Sequence, residues 1–310
     1  MKPIRLRDFV EDIEGRIYAV SAYDNTERAG CVLRYVPDPD GERVDPAGRR
    51  YTKLDFEPAY DYIRAHKPEY LDGLHRVPIA DILRIYKPEE RIDWIASRDP
   101  RVAALLSHFD LPAGSVGCTG SRLVGLENGA SDIDLVVYGA AWFLAQAQLA
   151  RLVGAGRLPG MSEEMWRRVY EKRVPEISFD VFVLHEGRKW NRGEFGDTWF
   201  DLLYTRSYDA LASAPAGRGR EIGRARIEAV VTDASHSFDS PAVYEVEHES
   251  VSRVISFTHT YCGQALAGET IEAAGVLEEH GDTQWLIVGT TREAKGEYIV
   301  SRSLLESEQV

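Results

Sequence analysis

A chain of 310 residues exceeds the usual size of one compact core, so two or three domains are expected. Its hydrophobic content of 44% and charged content of 28% are those of an ordinary globular protein, which excludes disorder as the default. The net charge of −13 argues against broad, sequence-blind binding to a nucleic-acid backbone and leaves only a local basic surface for that role.

The opening residues, Met1 to Arg7, are short and charged and are followed by acidic residues 8–14, the reverse of a secretory leader. The most apolar run, residues 135–153, is broken by Gln146, Gln148 and Arg151, so it reads as a buried strand and a packed helix rather than a membrane span. Cys31, Cys118 and Cys262 lie far apart and form no CxxC pair, which suits reduced, buried thiols. A cytoplasmic protein with no membrane partner is expected.

In chain order, residues 17–23 and 31–36 have strand-like content, with Asp24-Asn25 as turn chemistry between them. Residues 37–49 read as an exposed loop, and helices are expected over 56–65 and 79–86. Two more helices follow over 88–97 and 100–108, the second with Asp99 as N-cap before Pro100. Next come a short strand at 115–118, a helical turn at 121–126, a buried strand at 133–138 and a helix at 140–153. On that helix Trp142, Ala145 and Leu149 are spaced for the core. A long polar segment leads to a strand expected at 177–184, and helices are expected after it, over 198–208. The Gly- and Arg-rich stretch 212–226 reads as a hinge. Beyond it lie strands at 226–232, 243–246, 253–257, 270–278, 284–289 and 296–300, with Gly281-Asp282 as a hairpin tip.

Chemistry concentrates in the middle. Asp132 and Asp134 flank Ile133 on a strand, so both carboxylates face one side while Ile133 packs behind. Asp180 lies in Ser178-Phe179-Asp180-Val181-Phe182-Val183, where alternation turns it away from the core. Three carboxylates around one point repel one another unless hard cations sit among them, and Mg²⁺ takes oxygen ligands of this kind. Upstream, Cys118-Thr119-Gly120-Ser121 forms a turn in which glycine admits a phosphate close to the backbone, and Ser121 with the following N–H groups can donate to it. Elsewhere, the polar-aromatic stretch 256–264 and the run 291–298 carry groups suited to binding, although ordinary hydrogen-bonded loops and ion pairs are the better account of them.

The order Gly120-Ser121-Arg122-Leu123-Val124-Gly125, then Ser131-Asp132-Ile133-Asp134-Leu135, then a later carboxylate resembles the signature of the DNA polymerase β-type nucleotidyltransferase superfamily. The resemblance covers about residues 91–210. The flanking regions, including residues 289–298, are similar to archaeal predicted nucleotidyltransferases. It implies that Asp132 and Asp134 bind two Mg²⁺ ions, with Mn²⁺ as a substitute. Asp180 would join the catalytic metal and assist deprotonation of the acceptor. Gly120 and Ser121 would hold the β- and γ-phosphates of a nucleoside triphosphate, with pyrophosphate leaving. One departure stands out: Leu123-Val124 occupy positions where many relatives carry a small residue and an arginine. The positive partner of the triphosphate is therefore unassigned, with Arg122, Lys172, Arg188 and Lys189 as candidates.

The expected fold is α+β and multidomain. A small N-terminal α+β unit (1–90) precedes a polymerase β-like catalytic domain of mixed sheet and helices (91–215), and a small C-terminal β-barrel of the OB kind (220–310) follows. Such a barrel suits RNA or another single strand, which makes a nucleic-acid end the first-choice acceptor. Nucleotidylation of a small molecule or a protein is the alternative. A non-catalytic nucleotide- or RNA-binding module is the second.

Overall fold

The structure is a computed structural model that describes residues 2–129, 131–213, 217–290 and 296–308. In chain order the first elements are strands β1 (Phe9–Asp12), β2 (Ile17–Val20), β3 (Arg28–Pro37), β4 (Arg43–Val44) and β5 (Arg50–Lys53), then helix α1 (Phe56–His66). Strands β6 (Leu71–Asp72), β7 (Leu74–Pro78) and β8 (Ile82–Tyr86) follow, then helices α2 (Pro88–Arg98) and α3 (Pro100–Leu106). The middle of the chain holds β9 (Val116–Cys118), α4 (Ser121–Val124), β10 (Ile133–Tyr138), α5 (Ala140–Gly154), α6 (Glu163–Arg173), α7 (Phe179–Gly187), β11 (Arg192–Phe195) and β12 (Thr198–Thr205). The last part holds β13 (Arg220–Asp233), β14 (Ala242–Glu247), β15 (Val251–Ser256), β16 (Thr270–His280), β17 (Thr283–Val288), β18 (Tyr298–Ser301) and α8 (Arg302–Ser307). Among the described residues no helix is long and apolar enough to cross a membrane.

The chain is α+β and divides into two compact units, one of residues 1–158 with 195–214 and one of residues 159–194 with 215–310. This division differs from the expected boundaries, because the first ninety residues share their core with the Gly120 region. In the first unit a sheet runs in the order β4-β5-β3-β2-β1-β8, with β7 on β3 and β6 on β7. One apolar cluster gathers Val10, Tyr18, Leu33 and Val77 with Ala59 and Ile63 of α1. A second gathers Phe9, Ile17, Tyr35, Tyr51 and Tyr86 with Leu123, Val124 and Leu126, so the short helix α4 packs on this sheet. A bulge explains how neighbouring residues of β3 serve both clusters: Tyr18 pairs with Leu33 and Ile17 with Tyr35, which leaves Arg34 as the extra residue.

A second sheet in the same unit places β10 between β9, antiparallel, and β12, parallel. Trp142, Ala145 and Leu149 of α5 are buried as the spacing predicts, and the Trp142 indole N–H donates to the Leu202 carbonyl at 3.0 Å. The N-terminal segment is tied in by Arg5, whose guanidinium lies 3.6 Å from the centre of the Tyr138 ring and 3.9 Å from that of Tyr208. Arg5 also pairs with Glu89 at 3.0 Å, and both tyrosine hydroxyls donate to the same carboxylate.

In the second unit the strand order is β13-β14-β15-β17-β16-β18, and β13 also pairs with β16, so the hydrogen-bonded path returns to its first strand. β15 and β17 run parallel, and the other pairs in this path are antiparallel. Gly281-Asp282 is the hairpin tip, between His280 and its cross-strand partner Thr283. The expected hinge at 212–226 is overturned in its second half, because β13 begins at Arg220. Its arginines are held by glutamates: Arg220 by Glu279, Arg224 by Glu297, and Arg226 by Glu272.

Three other expectations are corrected. Residues 79–86 form a short 3-10 turn and then strand β8, not a helix. Residues 198–205 are strand β12, not helix. Residues 179–187 are helix α7, not a strand. There Ser178 caps the N-terminus by accepting from the Val181 N–H, and Phe182, His185 and Glu186 are buried at helical spacing. The cap and the three-residue period prevail over the apparent alternation.

Candidate functional site

The site is built from the end of β9 and the start of β10. Cys118 pairs with Leu135 across the two strands, and the Thr119 N–H donates to the Asp134 carbonyl at 2.9 Å. The backbone then turns at Gly120, with φ +72° and ψ −151°, a region open essentially to glycine alone. A Cβ at this position would lie 2.8 Å from Asp134 Oδ2, so the turn rests directly against that carboxylate. Ser121 opens α4, and its hydroxyl is 3.2 Å from that of Ser131, just before Asp132. Two other predicted features, Gly120 beside Ser121 and the Asp132/Asp134 pair, are therefore neighbours in space as well as in sequence.

Asp134 stands in β10 among Ile133, Leu135, Val136 and Val137, all buried. Alternation places Asp132 and Asp134 on one side of the sheet. In the parallel partner strand β12, Asp134 is registered with Asp201. Registered residues on adjacent strands face the same side about 4.8 Å apart, so Asp201 joins the face of Asp132 and Asp134. Sequence reading missed Asp201. The signal was present in Trp199-Phe200-Asp201-Leu202-Leu203, an acid inside an apolar strand-like run, but that run was taken as helix.

Asp180 is placed differently from the expectation. It is an exposed residue in the first turn of α7, where a carboxylate favours the helix N-terminus, and it does not lie on a strand beside β10. Arg122 is only 2% exposed, and its guanidinium is committed. Nε donates to Asp99 Oδ2 at 2.9 Å, Nη2 to the Ser131 carbonyl at 3.2 Å, and Nη1 to the Asp132 carbonyl. It fixes the backbone that carries the aspartates. Lys189, 1% exposed, donates to Glu186 and to the Thr260 carbonyl. Arg188 is paired with Glu269 at 2.6 Å, and Lys172 lies on the exposed side of α6.

The donor set on the shared face is all carboxylate, the hard oxygen chemistry that Mg²⁺ prefers. Among the described residues, however, no three acidic, histidine or cysteine side chains are gathered closely enough to hold a metal by themselves. Of the other sequence candidates, Cys262 is buried with its thiol 3.3 Å from the Asp239 carbonyl, which is packing. Residues 291–295 of the run 291–298 lie outside the described residues. Glu297, within it, closes the local loop by accepting from Gly289 N–H and Thr290 N–H. An open cleft of about 330 Å³ lined by His108, Asp110, Gln148, Arg151, Leu152 and Arg157 includes none of the carboxylates on that face.

The fold and site thus define an α+β protein in which a glycine turn is pressed against a strand-borne carboxylate face. The chain is 35% identical over 334 aligned positions to "Uncharacterized protein MJ1086" of Methanocaldococcus jannaschii, an alignment covering 96% of this chain and 98% of that protein. It belongs to the same family as that archaeal protein. No protein-family model and no solved structure matches the chain.

Proposed function

We propose that the protein is a metal-dependent nucleotidyltransferase that moves a nucleoside monophosphate from a nucleoside triphosphate to an acceptor hydroxyl. The observation that carries this reading is the Gly120 turn resting on Asp134, with Asp132, Asp134 and Asp201 on one face. Mg²⁺, which Asp132 and Asp134 would hold together with the triphosphate, would supply Lewis-acid polarisation of the phosphoryl oxygens. Asp132 and Asp134 hold that complex, and the backbone of Gly120 with the Ser121 hydroxyl receives the phosphate tail. Asp201, rather than Asp180, completes the carboxylate set and takes the proton as the acceptor oxygen bonds to the α-phosphorus. The bond from the α-phosphorus to the bridging oxygen breaks, and pyrophosphate leaves.

The returning strand order of the second unit, with its parallel β15–β17 pair, supports reading it as a small barrel of the OB kind, and with it a nucleic-acid end as acceptor. One observation favours the small-molecule or protein alternative. The arginines of β13 are neutralised by glutamates and offer no continuous basic track.

The test is incubation with labelled nucleoside triphosphates, Mg²⁺ or Mn²⁺, and separate RNA, protein and metabolite pools. Label transfer is expected to fall at least about a hundred-fold in Asp132→Ala and Asp201→Ala, and to stay within about twofold of wild type in Asp180→Ala. A loss in Asp180→Ala with Asp201→Ala unaffected reverses the assignment of the third carboxylate. No label in any pool defeats the enzymatic reading.

A further inference from the structure

Nucleotidyl transfer needs positive charge beside the triphosphate tail, and the Gly120 turn brings none of its own. Arg122 is spent on Asp99 and two carbonyls, and Leu123 and Val124 are buried in the apolar cluster. We infer that the N-terminal sheet supplies it, with Lys53 as the phosphate-binding ammonium and Arg34 as a second positive group beside it. The inference rests on the nucleotidyltransferase reading above and adds the residues that recognise the phosphate tail.

The register of the sheet sets the geometry. Tyr35 and Tyr51 belong to the cluster that packs on Leu123, Val124 and Leu126, so their face of β3 and β5 is turned toward α4. Lys53 lies directly across from Tyr35 and two residues beyond Tyr51, so it stands on the same face. Arg43, across from Tyr51 on β4, also stands there, and its Nη1 donates to the Leu126 carbonyl at 3.0 Å. This hydrogen bond fixes the sheet edge against the segment that leaves α4. The bulge in β3 makes the arrangement possible: by inserting Arg34 it turns Tyr35, and with it the Lys53 position, toward the Gly120 side.

Charge supports the same reading. Several basic side chains of this unit are matched by acids, as Arg16 is by Asp12, Arg49 by Asp45 and Lys87 by Asp8. Lys53 and Arg34 make no ion pair among the described residues. Partial desolvation of the ammonium and the positive charges of Arg34 and Arg43 press the Lys53 pKa below its ordinary value, against the opposing pull of Asp55 and Asp132. The ammonium therefore feels Arg34, Arg43 (itself paired with Glu42 at 3.4 Å) and a carboxylate of the proposed metal face. A polyphosphate placed there relieves the mutual repulsion of Lys53 and Arg34, and an ammonium suits it as a compact charge with three donors.

The test is calorimetric titration of the full-length protein with Mg²⁺ complexes of each of the four nucleoside triphosphates, of inorganic tripolyphosphate, and of the nucleoside monophosphates. Lys53→Met is expected to weaken triphosphate and tripolyphosphate binding at least tenfold while leaving monophosphate binding within about twofold; Arg34→Met is expected to do the same more weakly. Lys53→Arg, which keeps the charge, is expected to retain most of the affinity. Lys53 is exposed, so its substitution leaves the fold intact. Unchanged triphosphate affinity in Lys53→Met, or an equal loss for tri- and monophosphates, overturns the inference while wild-type binding leaves the transferase reading standing. Failure of the wild-type protein to bind any of the triphosphates overturns both.

Discussion

Gly120 carries two requirements that no other residue meets together. Its φ and ψ lie in a region closed to side chains, and any Cβ would press on Asp134 Oδ2. Gly120→Ala is therefore expected to cost about 1–3 kcal/mol of stability and, by displacing the carboxylate, to reduce nucleotidyl transfer at least about a hundred-fold. Denaturant unfolding and label transfer measured on the same preparation check both, and a variant of normal activity refutes the close fit of turn and carboxylate. This part of the site was legible in the sequence because it is local: a glycine before a serine, and two aspartates one residue apart. Asp201 was not legible in that way. Its place beside Asp134 depends on the pairing of β10 with β12, which no short motif encodes. Arg122 looked like a phosphate ligand, and only its buried hydrogen bonds reveal that it holds carbonyls instead.

At the level of elements, most helices and strands were readable where a cap or a clear period was present. α2 and α3 begin at Pro88 and Pro100 as expected, and β10 spans the predicted residues. α7 was misread because Phe179, Val181 and Val183 alternate over a stretch too short to distinguish two periods, and the Ser178 cap outweighed them. β8 stands where a helix is expected because Pro78 resembles a helix start, whereas it opens one short 3-10 turn. Asp99 links one such element to the site. Its carboxylate caps α3 by accepting from the Arg101 N–H at 3.0 Å and also accepts from Arg122 at 2.9 Å. Burial opposes its ionisation, yet the Arg101 and Arg122 hydrogen bonds keep it below the usual carboxylate range. Loss of the cap alone costs about 1 kcal/mol, whereas stranding a buried guanidinium costs about 3–5 kcal/mol. Asp99→Ala is thus expected to lower unfolding free energy by the larger amount, and Asp99→Asn, which retains the cap, by less. A loss of only about 1 kcal/mol in Asp99→Ala shows that Arg122 does not depend on this partner.

Across the whole molecule, acid separates the two units. Each encloses a histidine of negligible exposure whose pKa burial pushes down to about 4, His75 in the first unit and His185 in the second. The Nδ1 of His75 accepts from the Leu33 N–H at 2.9 Å. The Nε2 of His185 accepts from the Ser301 N–H at 2.9 Å, which leaves its Nδ1 to donate to the Val181 carbonyl at 2.7 Å. Both rings must therefore be neutral in the folded chain, while in the unfolded chain they take up a proton below the ordinary histidine value of 6.5. Their contribution is complete above that pH and disappears as pH falls through about 4, a loss of about 3 kcal/mol per histidine. The first unit has an opposing group. Burial raises the Asp8 carboxyl to about 6 despite its pairing with Lys87, so the folded state takes up that proton first and gains stability as pH falls from about 6 toward 3.8. The two effects are of similar size and largely cancel there. The second unit has buried Glu186, whose desolvation is outweighed by Lys189, Arg173 and Arg192, which hold it below the usual range; its contribution is kept until pH falls below the ordinary glutamate value of 4.5. Acidification from pH 6.5 to 4 is thus expected to loosen the second unit first. Hydrogen exchange followed on amides of α7 and β18, against those of β2 and β3, measures the difference directly. Protection in α7 and β18 is expected to fall by about two orders of magnitude while the first unit changes little, and His185→Gln is expected to abolish most of that pH dependence. Equal loss in both units, or an unaltered pH profile in His185→Gln, shows that other groups govern the acid response.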